Sequence, residues 1–129
     1  MIDLVRLHHV SFALRDLGAS KRFFGEVLGL EEIPRPGFTF AGAWYALGDR
    51  QLHLIKVEDD GREARGRIGR KDHMALEVGD AKAVRQRLTD AGVEFEEGAN
   101  QALGMDQVFC RDPDGHVIEF VQYLTPPAT

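Results

Sequence analysis

HHVSFALRDLGASKRFFGEVLGLEEI, residues 8–33, and DHMALEVGDAKAVRQRLTDAGVEFEE, residues 72–97, are two versions of one pattern about sixty residues apart. Laid over each other they pair His9 with His73, Val10 with Met74, Phe12 with Leu76, Leu14 with Val78 and Asp16 with Asp80. Near the end of each half a further metal-capable residue sits in an apolar run, His53 in QLHLI and Glu119 in HVIEFV. An internal repeat of this kind is one supersecondary unit used twice.

Each copy reads β-α-β-β-β. Leu7 to Leu14 and His73 to Val78 alternate as strands do. Asp16 and Asp80 stand where helix caps belong. Ala19, Phe23, Val27 and Leu30 then recur at helical spacing, as do Ala83, Val84, Arg87 and Leu88, and Gly29 and Gly92 supply the stops. The remaining strand-like segments are Phe38–Phe40, Trp44–Leu47 and Gln51–Val57, with Val93–Glu96, Gln107–Arg111 and His116–Tyr123 as counterparts. DPDG at 112–115 is turn chemistry. The expected organisation is a single α+β domain over residues 1–129, with module 1 at about 5–58, a linker at about 59–71 and module 2 at about 72–124.

A strand sends successive side chains to opposite faces. His9 shares a face with Leu7, Ser11 and Ala13, against Val10, Phe12 and Leu14. His73 goes with Ala75 and Glu77, His53 with Gln51 and Ile55, and Glu119 with Val117 and Val121. The large apolar neighbours lie opposite each candidate. Helices packed on those greasy faces, and a sheet curled so that the other faces enclose a cleft, would bring four metal-capable groups together.

Composition narrows the function. Net charge is -5 and charged residues make up 29% of the 129 residues, so the basic footprint that nucleic acid demands is lacking. The single cysteine, Cys110, fits a reducing compartment. No apolar run reaches the length of a signal peptide or a membrane span, and a cytoplasmic protein without membrane partners is expected.

The residues HHVSFALRDLGASKRFFGEVLGL, DHMALEV and RDPDGHVIEFVQ resemble the vicinal-oxygen-chelate superfamily, which includes glyoxalase I, methylmalonyl-CoA epimerase, fosfomycin-resistance thiol transferases, extradiol dioxygenases and bleomycin-binding proteins. The resemblance runs from His8 to about Gln122. It implies two βαβββ modules forming a U-shaped sheet around a metal cleft, with the helices on the outer face. The ligand positions it implies are His9, His53, His73 and Glu119. Imidazole and carboxylate suit zinc, nickel, manganese, cobalt or iron(II). The chemistry implied is proton abstraction next to a metal-bound carbonyl, through an enediolate-like intermediate, on a small anionic metabolite, with Glu119 as base. His53 departs from the pattern: glyoxalase I commonly has a glutamate there and the epimerases a glutamine. Glu119 is then the only carboxylate in the set, and the chain reads as glyoxalase-like without the two-glutamate arrangement. A metal-free antibiotic-binding protein and an extradiol-type iron(II) dioxygenase are the alternatives, separated by metal content and dioxygen uptake. The duplicated module and apolar strand edges suggest a homodimer.

Other features have ordinary readings. Arg62, Arg65, Arg67, Arg70 and Lys71 form either a loop that clamps an anion or a solvated linker, and interspersed acids favour the linker. His8 reads as structural or exposed, His116 as a turn residue, Cys110 as a small buried hydrophobe, and the TPPAT tail, 125–129, as frayed. Pro34–Phe38 and Trp44 either wall the pocket mouth or belong to the core. Glu77 is a candidate to orient a ligand imidazole.

Overall fold

Alternation and capping translate directly into the elements. The computed structural model describes residues 3–58 and 73–124, which form two compact units. The Arg62–Lys71 stretch and the 125–129 tail lie outside those residues. In the first unit β1 (His9–Leu14) leads into α1 (Leu17–Lys21), and β2 (Glu32–Ile33), β3 (Gly42–Leu47) and β4 (Arg50–Lys56) follow. In the second, β5 (His73–Glu77) leads into α2 (Ala81–Asp90), and β6 (Phe95–Glu97), β7 (Met105–Arg111) and β8 (Val117–Tyr123) follow. The strand orders are β1-β4-β3-β2 and β5-β8-β7-β6, with the first pair in each parallel and the others antiparallel. The architecture is α+β, one βαβββ module twice.

The repeat extends to register. Ser11 pairs with His53 across β1 and β4, and Ala75 pairs with Glu119 across β5 and β8. On the other side, Trp44 faces His53 and Phe109 faces Glu119. His9 and His73 each lie two residues before those cross-strand partners, on the same face. A one-residue slip in either sheet would turn every ligand candidate of that strand away.

The opposite faces make the cores. Leu14, Phe23, Phe24, Ala43, Tyr45, Leu52 and Leu54 are buried in the first unit, and Ala81, Leu88, Val108, Cys110, Ile118 and Phe120 in the second. Burial pushes the Cys110 thiol up to about 12, with Asp112 adding to it, so this sulfur is inert packing. Asp16 caps α1 by accepting from Ala19 N at 3.1 Å, and Asp80 caps α2 by accepting from Lys82 N and Ala83 N. Gly29 and Gly92, at φ 74° and 70°, make the left-handed exits that other residues resist. Asp80→Ala is expected to cost about 1 kcal/mol, read as a lowered melting temperature with an unchanged far-ultraviolet spectrum.

Two local readings are corrected. Phe38–Phe40 is not a strand; the second strand of module 1 is Glu32–Ile33. Pro34 and Pro36 remove donors from the intervening chain, and Phe38 and Phe40 instead stack on each other at 5.0 Å. The first helix does not stay α throughout. After Lys21 it widens into a π-helical segment, Arg22–Val27, where Leu28 N reaches back to Phe23 O at 2.9 Å. Gly25 lies there against the Tyr45 ring, where an added Cβ would already touch the hydroxyl at 3.5 Å. Among the described residues no helix is long and apolar enough to cross a membrane.

Candidate metal centre

His53 is the centre of a stack in the first unit. Its ring lies 3.8 Å from Trp44 at 3° and 4.0 Å from His9 at 19°. That sandwich leaves it 7% exposed although it is on the face opposite the core. Burial, then the neighbouring His9, His8 and Arg35, hold its pKa below the ordinary histidine value. A neutral imidazole is the form a metal requires. Gln51 Oε1 sits 2.8 Å from His53 Nε2, and a side-chain amide on one ring nitrogen is the kind of partner that fixes which nitrogen keeps the proton. His8 is exposed, with its Nδ1 2.9 Å from that of His9.

In the second unit His73 Nε2 lies 3.0 Å from Glu119 Oε1. The other carboxylate oxygen accepts from Gln107 Nε2 at 3.1 Å, and Gln107 Oε1 in turn accepts from Asn100 Nδ2 at 2.8 Å. Glu119 is 7% exposed, so this relay satisfies a carboxylate that burial would otherwise penalise. Phe109 sits edge-on to His73 at 6.0 Å. Glu77 is exposed, and the carboxylate against His73 is Glu119.

The four candidates therefore stand as two pairs, His9 with His53 and His73 with Glu119. Among the described residues no three metal-capable side chains gather into one group. Each pair is made of residue types that bind divalent metals. Two neighbouring donors on an octahedral ion with bonds of ~2.1 Å are about 3.0 Å apart, and about 3.4 Å apart on a tetrahedral one; His73 Nε2 and Glu119 Oε1 stand 3.0 Å apart. The three imidazoles and one carboxylate match the borderline ions named above.

The roles of Gln51, Gln107, Asn100 and Phe109 beside the candidates were not read from the sequence. Alternation puts Gln51 on the His53 face, so that partner was within reach of a sequence argument. Gln107 reaches Glu119 only once the β7–β8 register is known, and Asn100 follows from Gln107. His116 is more than a turn residue: its Nδ1 lies 2.8 Å from Asp112 Oδ2, while Asp112 Oδ1 accepts from the backbone of Asp114 and His116. That closes the 112–116 turn.

A family model for the Glyoxalase/Bleomycin resistance protein/Dioxygenase superfamily matches residues 6–120. The chain is 32% identical over 126 residues to Glyoxylase I 4 of Arabidopsis thaliana, covering 92% of this chain and 71% of that one. It is 28% identical to virulence protein STM3117 of Salmonella typhimurium, covering 92% and 85%. Among solved structures, a glyoxalase family protein of Bacillus anthracis superposes with a TM-score of 0.79 at 23% identity, covering 95% of this chain and 99% of that one. The fosfomycin resistance protein FosX of Listeria monocytogenes gives 0.75 at 16%, covering 92% and 93%; at such identities the likeness is one of fold. With the family match running through both modules and both donor pairs, the chain belongs to the Glyoxalase/Bleomycin resistance protein/Dioxygenase superfamily.

Proposed function

We propose that this protein is a divalent-metal-dependent enzyme of glyoxalase/epimerase type that removes the proton next to a carbonyl of a small, anionic metabolite. His9, His53, His73 and Glu119 hold the ion, which is zinc, nickel, manganese, cobalt or iron(II). When bound, such an ion supplies Lewis acidity that polarises a carbonyl and makes the neighbouring C–H more acidic. The observation that carries this reading is the shared register: a nitrogen or oxygen donor at each of two equivalent positions per module, flanked by Trp44 in one and Phe109 in the other. The 32% identity to a protein named as a glyoxylase I supports it.

The chain's own residues divide the work. His53, kept neutral by burial, is available as a donor without first losing a proton. Glu119 carries the negative charge and serves as base, and Gln107, fixed by Asn100, sets the orientation of its Oε2. Trp44 and Phe109 shield the donors from water on one side of each pair. The working assembly on this reading is a homodimer.

Elemental analysis after mild purification tests the proposal. About one divalent ion per chain is expected in the wild type, lost in His9→Ala/Glu119→Ala, with deuterium exchange into a carbonyl substrate lost in parallel. No ion after supplementation with zinc, nickel, manganese and iron(II) would overturn it and leave a metal-free binding protein. Catechol-dependent dioxygen uptake would replace it with the iron(II) dioxygenase.

A further inference from the structure

The stack on His53 does not end at Trp44. Phe38 lies 6.1 Å from Trp44 at 50°, and Phe40 stacks on Phe38 at 5.0 Å and 14°. The Arg35 guanidinium sits 4.9 Å from the Phe38 ring centre and 5.0 Å from that of Phe40, and its Nη2 donates to Phe40 O at 2.7 Å. One side chain thus fixes both rings and the loop that carries them. Even so, Phe38 is 45% and Phe40 44% exposed. Rings held in place by an arginine and still open to water form a prepared surface, since a collapsed hydrophobic cluster would have hidden them.

Gly42 explains how Arg35 gets there. A Cβ at Gly42 would collide with Leu54 O and come within 3.2 Å of Arg35 Nη2. Gly42 shares a face with Trp44, two residues on, and pairs with Ile55. In the second module the matching position, two before Phe109, is Gln107, the residue that holds Glu119. The modules differ at this position. Module 2 uses it to hold a ligand, and module 1 clears it so that an arginine can lie beside an aromatic shelf.

We propose that the substrate is a flat, apolar anion: an aromatic or conjugated body against Trp44, Phe38 and Phe40, its negative charge beside Arg35, its carbonyl toward the His9–His53 pair. The proposal rests on the metal-enzyme reading above and names the substrate class for it. Ring-on-ring contact gives orientation as well as affinity, and a guanidinium is the group best shaped to receive a carboxylate. The protein's net charge of -5 does not draw anions from a distance, so discrimination is left to this short-range pairing. A small hydrophilic anion would use only the Arg35 end.

Phenylpyruvate and pyruvate, which share the 2-oxo acid and differ by a phenyl ring, are the probes. Both are titrated calorimetrically into protein whose metal content has been measured, with the indole N–H resonance of Trp44, the one tryptophan, followed in parallel. Phenylpyruvate is expected to bind at least tenfold more tightly and to shift the Trp44 resonance. Phe38→Ser/Phe40→Ser should lower phenylpyruvate affinity fivefold or more and leave pyruvate within twofold, which also verifies that the variant is folded. Equal affinities for the two acids, binding of neither, or a phenyl preference that survives in the double variant would each overturn the substrate assignment in metal-loaded protein. So would sedimentation showing that the double variant turns a wild-type dimer into monomer, because the shelf would then belong to a second copy. Protein without metal instead points to failure of the underlying enzyme reading, which the elemental analysis reports separately.

Discussion

Glu119→Gln is expected to weaken divalent-metal affinity by more than about 100-fold and to abolish activity, with little change in the fold. Replacement of a residue that merely supports a ligand typically costs about 10–100-fold in affinity, and Glu119 is the only carboxylate in the proposed set. The substitution removes the negative charge opposite His73 and leaves Gln107 Nε2 to donate to an amide, where it had donated to a carboxylate. Gln107→Leu should fall in the about 10–100-fold range, because it frees Glu119 Oε2 while leaving the charge in place. Competition titration against a chromogenic chelator reads both. Equal affinities in wild type and Glu119→Gln would remove Glu119 from the ligand set. The pH dependence has a definite sign. His53 has a lowered pKa in the fold, burial being the main cause and His9, His8 and Arg35 contributing, whereas an unfolded imidazole titrates near ~6.5. Below that value the unfolded chain takes up a proton that folded His53 refuses, so stability declines as pH falls through it and is unaffected above. His53→Gln should flatten that part of the stability curve.

How far the sequence led is clearest from the two modules side by side. The repeat, the alternation around His9, His53, His73 and Glu119, and the caps at Asp16 and Asp80 were all readable, because each depends on residues close together in the chain. The two-residue strand Glu32–Ile33 was not, being too short to show a period and followed at once by Pro34. Phe38–Phe40 looked like a strand because alternating aromatics carry β propensity; Arg35 claims those rings, and no local pattern reports a cation–π contact. The π-helical segment has no signature in local spacing; Tyr45, which lies close to Gly25, comes from β3. The candidate donors were legible as residue types, and of their supports only Gln51 was within reach. Gln107 becomes informative only through its cross-strand register with Val121, two residues from Glu119, and Arg35 only through the space above Gly42.

Arg85→Ala is expected to destabilise the protein by about 2–3 kcal/mol, the cost of breaking a largely buried ion pair reduced for its partly open side. Arg85 projects from α2 toward the sheet, and its Nη1 and Nη2 donate to the two oxygens of Asp106 on β7 at 3.0 and 2.5 Å. Its Nε and Nη2 also reach Glu97 on β6, the shortest bond being 2.6 Å. The two carboxylates are not equivalent. Asp106 is buried and needs a cation, whereas Glu97 is mostly exposed and its replacement by Gln should cost under about 0.5 kcal/mol. Hydrogen bonds from Arg85 hold the Asp106 carboxyl below the usual carboxylate range, against an opposing push from burial. A depressed folded pKa contributes stability above the unfolded value of ~3.9 that is lost as pH falls through the folded one. Acid unfolding should therefore begin at higher pH in Arg85→Ala, with a urea midpoint at neutral pH about 1–2 M lower. Arg85→Ala/Asp106→Ala should recover part of the loss, because it removes the unpaired carboxylate too. If the double variant is no more stable than Arg85→Ala alone, the pair is not what ties the helix to the sheet. Asp106 directly precedes Gln107, so this tie anchors the strand that presents Gln107 to Glu119. Metal affinity of folded Arg85→Ala should nevertheless stay within about threefold of wild type, since β7 keeps its ladder to β8 through Phe109 and Glu119. A larger loss would mean that the helix, and not the β7–β8 pairing, sets the position of the Glu119 carboxylate.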